Sequence, residues 1–455
     1  MEPASWFSAG CHRDMRVSHD TRTLTGLMAA VVTVTAFAKT FIPFYLIGST
    51  TIFALASALG ITLVAANWRQ LRNDAIQVTD LLVALALFYG VVIVNFLTHS
   101  LAAVPITHLA GILIFHGMFL IFGFAAARAL RTVMLVLVVA AAIYAFIIVQ
   151  HSVRFGDVMR GNHINDIFGV GVPIIFNTFH QNIGLILALG MLAALGLVSN
   201  RFQLAVVYGA LPILLLFLFH IAARGAMVAL VGGVLFRVFS ACWVRSKKTA
   251  TLALTAVILA ATIASGIFYR YGIQDRDVDP VAPDAISRTI RELHDSDPEF
   301  RLQIWSRTLH HIVSEPTLLP FGRGLGMFPV NEGFGPPDWP LRSAEGSKYY
   351  PHNIFLEIIY EMGIAGLIPF AFVTFFPVVA ALRRWQLFSA AEKSVFTIYV
   401  YDLVSLQLSG AFGRSNMEQF FLGLAIGIIA LKRAGETATS PLPVAKSSLD
   451  PGYSA

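Results

Sequence analysis

Long apolar windows alternate along this chain with short polar breaks. A helix needs roughly 17–25 apolar residues to cross a hydrocarbon core of about 30 Å. Twelve windows meet that length: 23–39, 42–66, 78–98, 104–127, 132–150, 178–199, 203–222, 225–243, 250–269, 353–382, 394–412 and 415–431. Only Lys39 to Pro43 divides the first two. The pattern predicts an all-α, polytopic membrane protein with about 12 transmembrane helices. No fixed period repeats, and no two halves match in the way many transporter halves do.

The one long interruption, 270–352, opens as acidic, proline-containing coil and then becomes periodic. Ile286, Ile290 and Leu293 lie on one stripe. Asp297 as N-cap and Pro298 at the first helical position announce a second helix, with Phe300, Ile304, Trp305, Leu309 and Ile312 following at helical spacing. Pro316 and Pro320 stop it. Helices apolar on one face and rich in Arg and Trp suit a membrane–water interface, so the loop is expected to lie over the bundle as a lid. The expected organisation is a cytoplasmic segment 1–22, spans 1–9 over 23–269, the loop 270–352, spans 10–12 over 353–431, and a Ser/Pro/Ala-rich tail 432–455 read as disordered.

Composition agrees. Hydrophobic residues make up 56% of 455, charged ones 13%, and mean hydropathy is +0.72. A soluble globular domain is excluded by these values. Cys11 and Cys242 imply neither a disulfide framework nor a metal site. The basic segment before residue 23 leads into apolar sequence without a convincing cleavage site, so the first span is read as uncleaved. Lys and Arg then orient the chain. With the N-terminus inside, the short inside segments carry eighteen of them and the short outside segments five: Lys39, Arg154, Arg160, Arg224 and Arg414. Both termini are therefore expected in the cytoplasm and the loop outside it.

The chemistry concentrates where that loop meets a span, in YYPHNIFLEIIYEMGIAGLIPF, Tyr349 to Phe370. Pro351 restricts the backbone, Asn353 is a good N-cap, and the apolar run from Ile354 propagates as helix. His352 thus stands at a helix mouth, a place that favours an anion beside a neutral imidazole. Outside the membrane there is no ATP, so an enzyme there draws on a preactivated donor, and a polyprenyl pyrophosphate presents two phosphates at interface depth. Arginine's planar, permanently charged fork suits that load. Arg154, Arg160, Arg224 and Arg301 all fall on the outer side, with Lys39 as a further cation. His180 and Gln181 open another span there and, with Asn353 and Glu357, are expected to line the same cavity.

Other patterns rank lower. Asp275, Asp277 and Asp279 sit in coil and read as a solvated loop. His310 and His311 point about 100° apart on a helix and make poor joint ligands. No strand precedes the glycines of FGRGLGMF, which read as a tight turn delivering the chain to the membrane. Glu357 and Glu361 share a helix face inside a span, where either a polar cavity or a structural contact explains them. Asp402, also within a span, raises with them the alternative of a lipid or ion transporter.

Four elements in order, ARGA at Arg224, FRLQIW at Arg301, GRGLGMF, and PHNIFLEIIYEMGIAGLIPF at His352, resemble the O-antigen ligase and polymerase superfamily of bacterial envelope glycosyltransferases. About 205–380 carries the likeness. The resemblance implies an inner-membrane enzyme with one large periplasmic loop, transferring glycan from an undecaprenyl-pyrophosphate-linked donor to an acceptor hydroxyl. It also implies roles in activity for Arg224, Arg301 and His352, and no metal or other cofactor. The reading taken from it is an O-antigen ligase of a Gram-negative inner membrane, with lipid A–core as acceptor, membrane lipids around it and no nucleic-acid partner, acting as a monomer. Glycan polymerases and protein O-oligosaccharyltransferases are the alternatives within the superfamily.

Overall fold

The computed structural model describes residues 8–37, 49–155, 179–220, 223–268, 301–333, 335–336, 350–414 and 416–439. Among them no strand occurs. The helices are α1 (Ser8–Phe37), α2 (Ser49–Ala66), α3 (Trp68–Ile76), α4 (Thr79–Asn95, continuing as a π turn Phe96–Ser100), α5 (Ile106–Ala126), α6 (Leu130–Phe155), α7 (Phe179–Leu197), α8 (Arg201–His220), α9 (Arg224–Arg245), α10 (Lys247–Phe268), α11 (Arg301–Ser314), α12 (Met327–Asn331), α13 (Ile354–Arg384), α14 (Ala390–Ser409) and α15 (Asn416–Thr439).

Five stretches among the described residues are long and apolar enough to cross a bilayer: Thr79–Ser100, Ile106–Phe146, Arg201–Phe219, Arg224–Arg245 and Ile354–Leu387. Thr23–Phe37, Phe53–Ala66 and Ile183–Leu197 are shorter apolar helices. The protein is thus a multi-pass helical membrane protein. Every apolar window of the sequence overlaps a helix, although α1 starts well before residue 23. Many outward-facing side chains are large and apolar, such as Leu55, Leu87, Ile114, Phe202 and Leu216. Such a surface suits lipid, where helices satisfy their own backbone groups.

Lipid gives apolar helix faces little reason to associate, so close van der Waals approach must do so. The α5–α15 pair shows it. A Cβ placed on Gly123 would lie 1.9 Å from the Phe420 carbonyl oxygen, and one on Gly423 2.0 Å from that of Leu120. Gly427, one turn past Gly423, meets Phe124 in the same way. Aromatic rings fill the space around this contact, with Phe37 against Phe420 and Phe421, and Phe119 against Phe122.

The bundle has two chemically distinct ends. One carries ion pairs: Arg128 with Asp74 at 2.6 Å, Arg433 with Asp80 at 2.7 Å, Arg384 with Glu436 at 2.9 Å and Lys432 with Glu392 at 3.1 Å. At the same end Arg237 reaches Ser394, and a Ser389–Glu392 capping box starts α14. The opposite end holds α11, α12 and the start of α13.

Candidate active site

The start of α13 forms as the sequence dictates. Asn353 is extended at φ −147°, ψ 116°, and its Oδ1 accepts from the backbone N–H groups of Phe355 at 3.1 Å and Leu356 at 3.0 Å. Its Nδ2 donates to the Gln407 carbonyl at the far end of α14, 3.3 Å away. The N-cap therefore also fastens α13 to α14.

His352, one residue earlier, is only 8% exposed. Its φ is +59°, and no other non-glycine residue among those described has a positive φ. A residue with a Cβ pays about 1–3 kcal/mol for such a conformation. Two contacts bracket it. The imidazole lies 4.4 Å from the Tyr350 ring, centroid to centroid, and the Trp305 indole N–H donates to the Pro351 carbonyl at 2.9 Å.

Through Trp305 the loop helix α11 is tied to the His352 turn. Arg301 precedes Trp305 by four residues, on the same helical stripe and about 6 Å along the axis. On the same side of α11, Ile304 and Ile312 pack against Phe328 of α12 and Tyr360 of α13. Glu332 holds the outer side, 3.4 Å from Arg307 and 3.6 Å from His311. The expected apolar stripe is thereby trimmed: Ile304 and Thr308 are buried, while Leu309 is 49% exposed.

One expectation changes more. The glycines of GRGLGMF form a loop built into the helix, where a simple turn was expected. At Gly363 (φ 64°, ψ −161°) α13 breaks. The N–H groups of Ile364 and Ala365, freed by the break, donate to the Leu319 and Pro320 carbonyls at 2.9 and 3.0 Å. The Tyr360 and Glu361 carbonyls accept from Arg323 and Gly324 at 2.9 and 2.8 Å. The Glu361 carboxylate takes the N–H groups of Gly326 and Phe328 at 2.9 and 3.1 Å, and so caps α12. Asn95 closes the other side, donating to the Phe321 carbonyl at 2.6 Å and accepting from Leu325 at 2.9 Å. A broken helix at membrane depth is tolerated when protein satisfies its backbone in this way. Only glycine fits here: a Cβ on Gly363 would lie 2.5 Å from the Gly322 nitrogen and the Leu319 oxygen.

Arg224 heads α9 and is partly buried. Two contacts fix the register of α9 on α14: Arg237 with Ser394 at 3.2 Å, and a Gly232 Cβ 3.1 Å from Val404. Run antiparallel, that register brings Arg224 level with the end of α14, where Gln407 receives Asn353. A Cβ on Gly184 would meet Ala223 at 2.7 Å, so the first turns of α7, bearing His180 and Gln181, stand beside the head of α9. Arg154 is in the last turn of α6, the end remote from Arg128 and Arg131. The side chains of Arg154, His180 and Gln181 are not described, and Lys39, Arg160, Asp275, Asp277 and Asp279 lie outside the described residues. Glu357 is buried and its Oε2 accepts from the Phe412 N–H at 2.9 Å, a link to the turn between α14 and α15. His310 and His311 have ring centroids 6.3 Å apart.

Sequence reading missed three contributors. Asn95 is a lone amide in the apolar run YGVVIVNFLTH, a signal by itself. Tyr350 and Trp305 join the site only through tertiary contacts, with the His352 ring and the Pro351 carbonyl.

Fold and site together define a multi-pass helical membrane protein in which a loop helix headed by arginine is tied to the turn that holds a strained histidine, at the mouth of a broken helix. Residues 209–371 match the family model described as O-antigen ligase. The matched stretch contains Arg224, Arg301 and His352. No curated protein matches the chain.

Proposed function

We propose that the protein is an inverting glycosyltransferase that moves O-antigen glycan from undecaprenyl pyrophosphate to a hydroxyl of lipid A–core, at the periplasmic face of a Gram-negative inner membrane. His352 takes the acceptor hydroxyl proton as that oxygen bonds to the anomeric carbon. The bond from that carbon to the pyrophosphate oxygen breaks in the same step, and the leaving undecaprenyl pyrophosphate carries off the electron pair. Arg224 and Arg301 bear the growing negative charge, with Arg154, Arg160 and Lys39 as further cations of the pocket. A positioned general base contributes roughly 10²–10⁴ in rate. Loss of one charge-stabilising donor costs about 10²–10³. The protein needs no metal or cofactor for this displacement and acts as a monomer.

The single observation that carries this reading is the Trp305–Pro351 hydrogen bond, which joins the helix headed by Arg301 to the turn holding His352. The family match over the same residues gives the class of chemistry. Protein reconstituted in liposomes with a radiolabelled lipid-linked glycan and lipid A–core provides the test. Label should become covalently attached to lipid A–core, and His352→Ala should abolish transfer while the protein still inserts and folds. Label extended only on a second lipid-linked glycan would make the protein a polymerase, and label on a protein serine an oligosaccharyltransferase. Transport of intact donor without a new bond would overturn the enzyme reading altogether.

A further inference from the structure

At the ion-paired end of the bundle a groove opens between α13 and α15. Its cavity is about 200 Å³, with walls formed by Phe376, Val379, Ala380, Phe388 and Ile429. Four cations rim it: Arg383, Arg384, Lys432 and Arg433. Lys432 lies 5.9 Å from the Phe388 ring centroid and Arg433 6.0 Å from that of Phe376, so both long side chains fold over the apolar wall with their charges at its lip. Val379 is 41% exposed, and Phe372 and Phe375 continue an exposed apolar face along α13 toward the middle of the span.

We infer that this groove is a binding site for an anionic glycerophospholipid, its phosphate held by the Arg383–Arg384 edge and an acyl chain laid along Val379 toward Phe375. Charge and shape together select this occupant. Cations at a helix end beside an apolar slot match a phosphate carried on hydrocarbon, and basic pockets between spans recognise anionic headgroups in this way. Three of the four cations already have acidic neighbours, Glu436, Glu392 and Asp80. Arg383 is exposed and has no carboxylate partner among the described residues, which makes it the cation with most to gain from a lipid phosphate. A zwitterionic lipid brings its own ammonium to the same place and gains less. The site lies at the opposite end of the bundle from His352 and takes no part in the proposed transfer.

Native mass spectrometry of the full-length protein, with phosphatidylglycerol or phosphatidylcholine added at equal concentration, tests this. The wild type should retain phosphatidylglycerol preferentially. Arg383→Gln/Arg384→Gln should reduce that retention by about fivefold or more, since each surface cation adds measurably to anionic-lipid attraction. Val379→Trp fills the slot, faces lipid and leaves every charge in place, so it should lower retention with no change in melting temperature. Equal retention of the two lipids by the wild type would overturn the assignment, as would undiminished phosphatidylglycerol retention by either variant.

Discussion

The Trp305 indole N–H and the Pro351 carbonyl, 46 residues apart in sequence, meet at 2.9 Å. On one side of that bond is a helix of the long loop, and on the other the residue whose backbone His352 inherits. Trp305→Phe keeps the ring and deletes the donor. A net hydrogen bond is worth about 0.5–1.5 kcal/mol, so turnover should fall by roughly threefold to tenfold with the apparent affinity for donor little changed. Initial rates at varied donor concentration would show this; a pure loss of donor affinity would mean that Trp305 serves binding and not the placement of His352.

Backbone strain at His352 separates folding from chemistry. Glycine accepts φ +59° without a Cβ clash, whereas alanine does not. His352→Gly should therefore melt above His352→Ala, by an amount reflecting about 1 kcal/mol, while both lack transfer activity. If the two variants melted together, the left-handed backbone would not be a source of strain.

At the helix break the consequence is steric. Gly363→Ala brings a methyl group within 2.5 Å of the Gly322 nitrogen and the Leu319 oxygen, both backbone atoms. The φ 64°, ψ −161° region is essentially closed to other residues. Expected is a destabilisation above about 3 kcal/mol, with faster proteolysis in the 315–333 region as the glycine loop is expelled. Resistance equal to wild type under limited proteolysis would refute this.

Helix packing deep in the bundle makes a different demand. Gly423→Val would drive its side chain into the Leu120 carbonyl, 2.0 Å from the first added carbon. Separation of α5 and α15 should lower the melting temperature by several degrees and reduce accumulation in the membrane, whereas Gly90→Val, which has open space, should do neither. Thermal denaturation of both variants in detergent makes the comparison.

Glu361 supplies a test of the cap on α12. Glu361→Gln replaces one acceptor oxygen by an NH₂ group that faces an N–H donor of Gly326 or Phe328. An unmatched buried donor costs about 1–3 kcal/mol, so stability should drop by that order in denaturation experiments. Substitution without effect would assign those N–H groups to other acceptors.

The apolar windows, the N-cap at Asn353 and the amphipathic helix carrying Arg301 were legible in the sequence by themselves, because each follows from neighbours a few residues apart: apolar runs of membrane length, a polar cap before them, a helical stripe. What only the tertiary structure decided is how distant pieces complete one another. Gly363 can break α13 only because Leu319 and Pro320 offer carbonyls and Asn95 an amide, all brought in from elsewhere in the chain. His352 can hold a left-handed backbone only where Tyr350, Trp305 and the Asn353–Gln407 bond surround it. Periodicity along a chain records which face is apolar, but not which carbonyl an unpaired N–H will find, since that partner is selected by packing between segments that no local pattern relates.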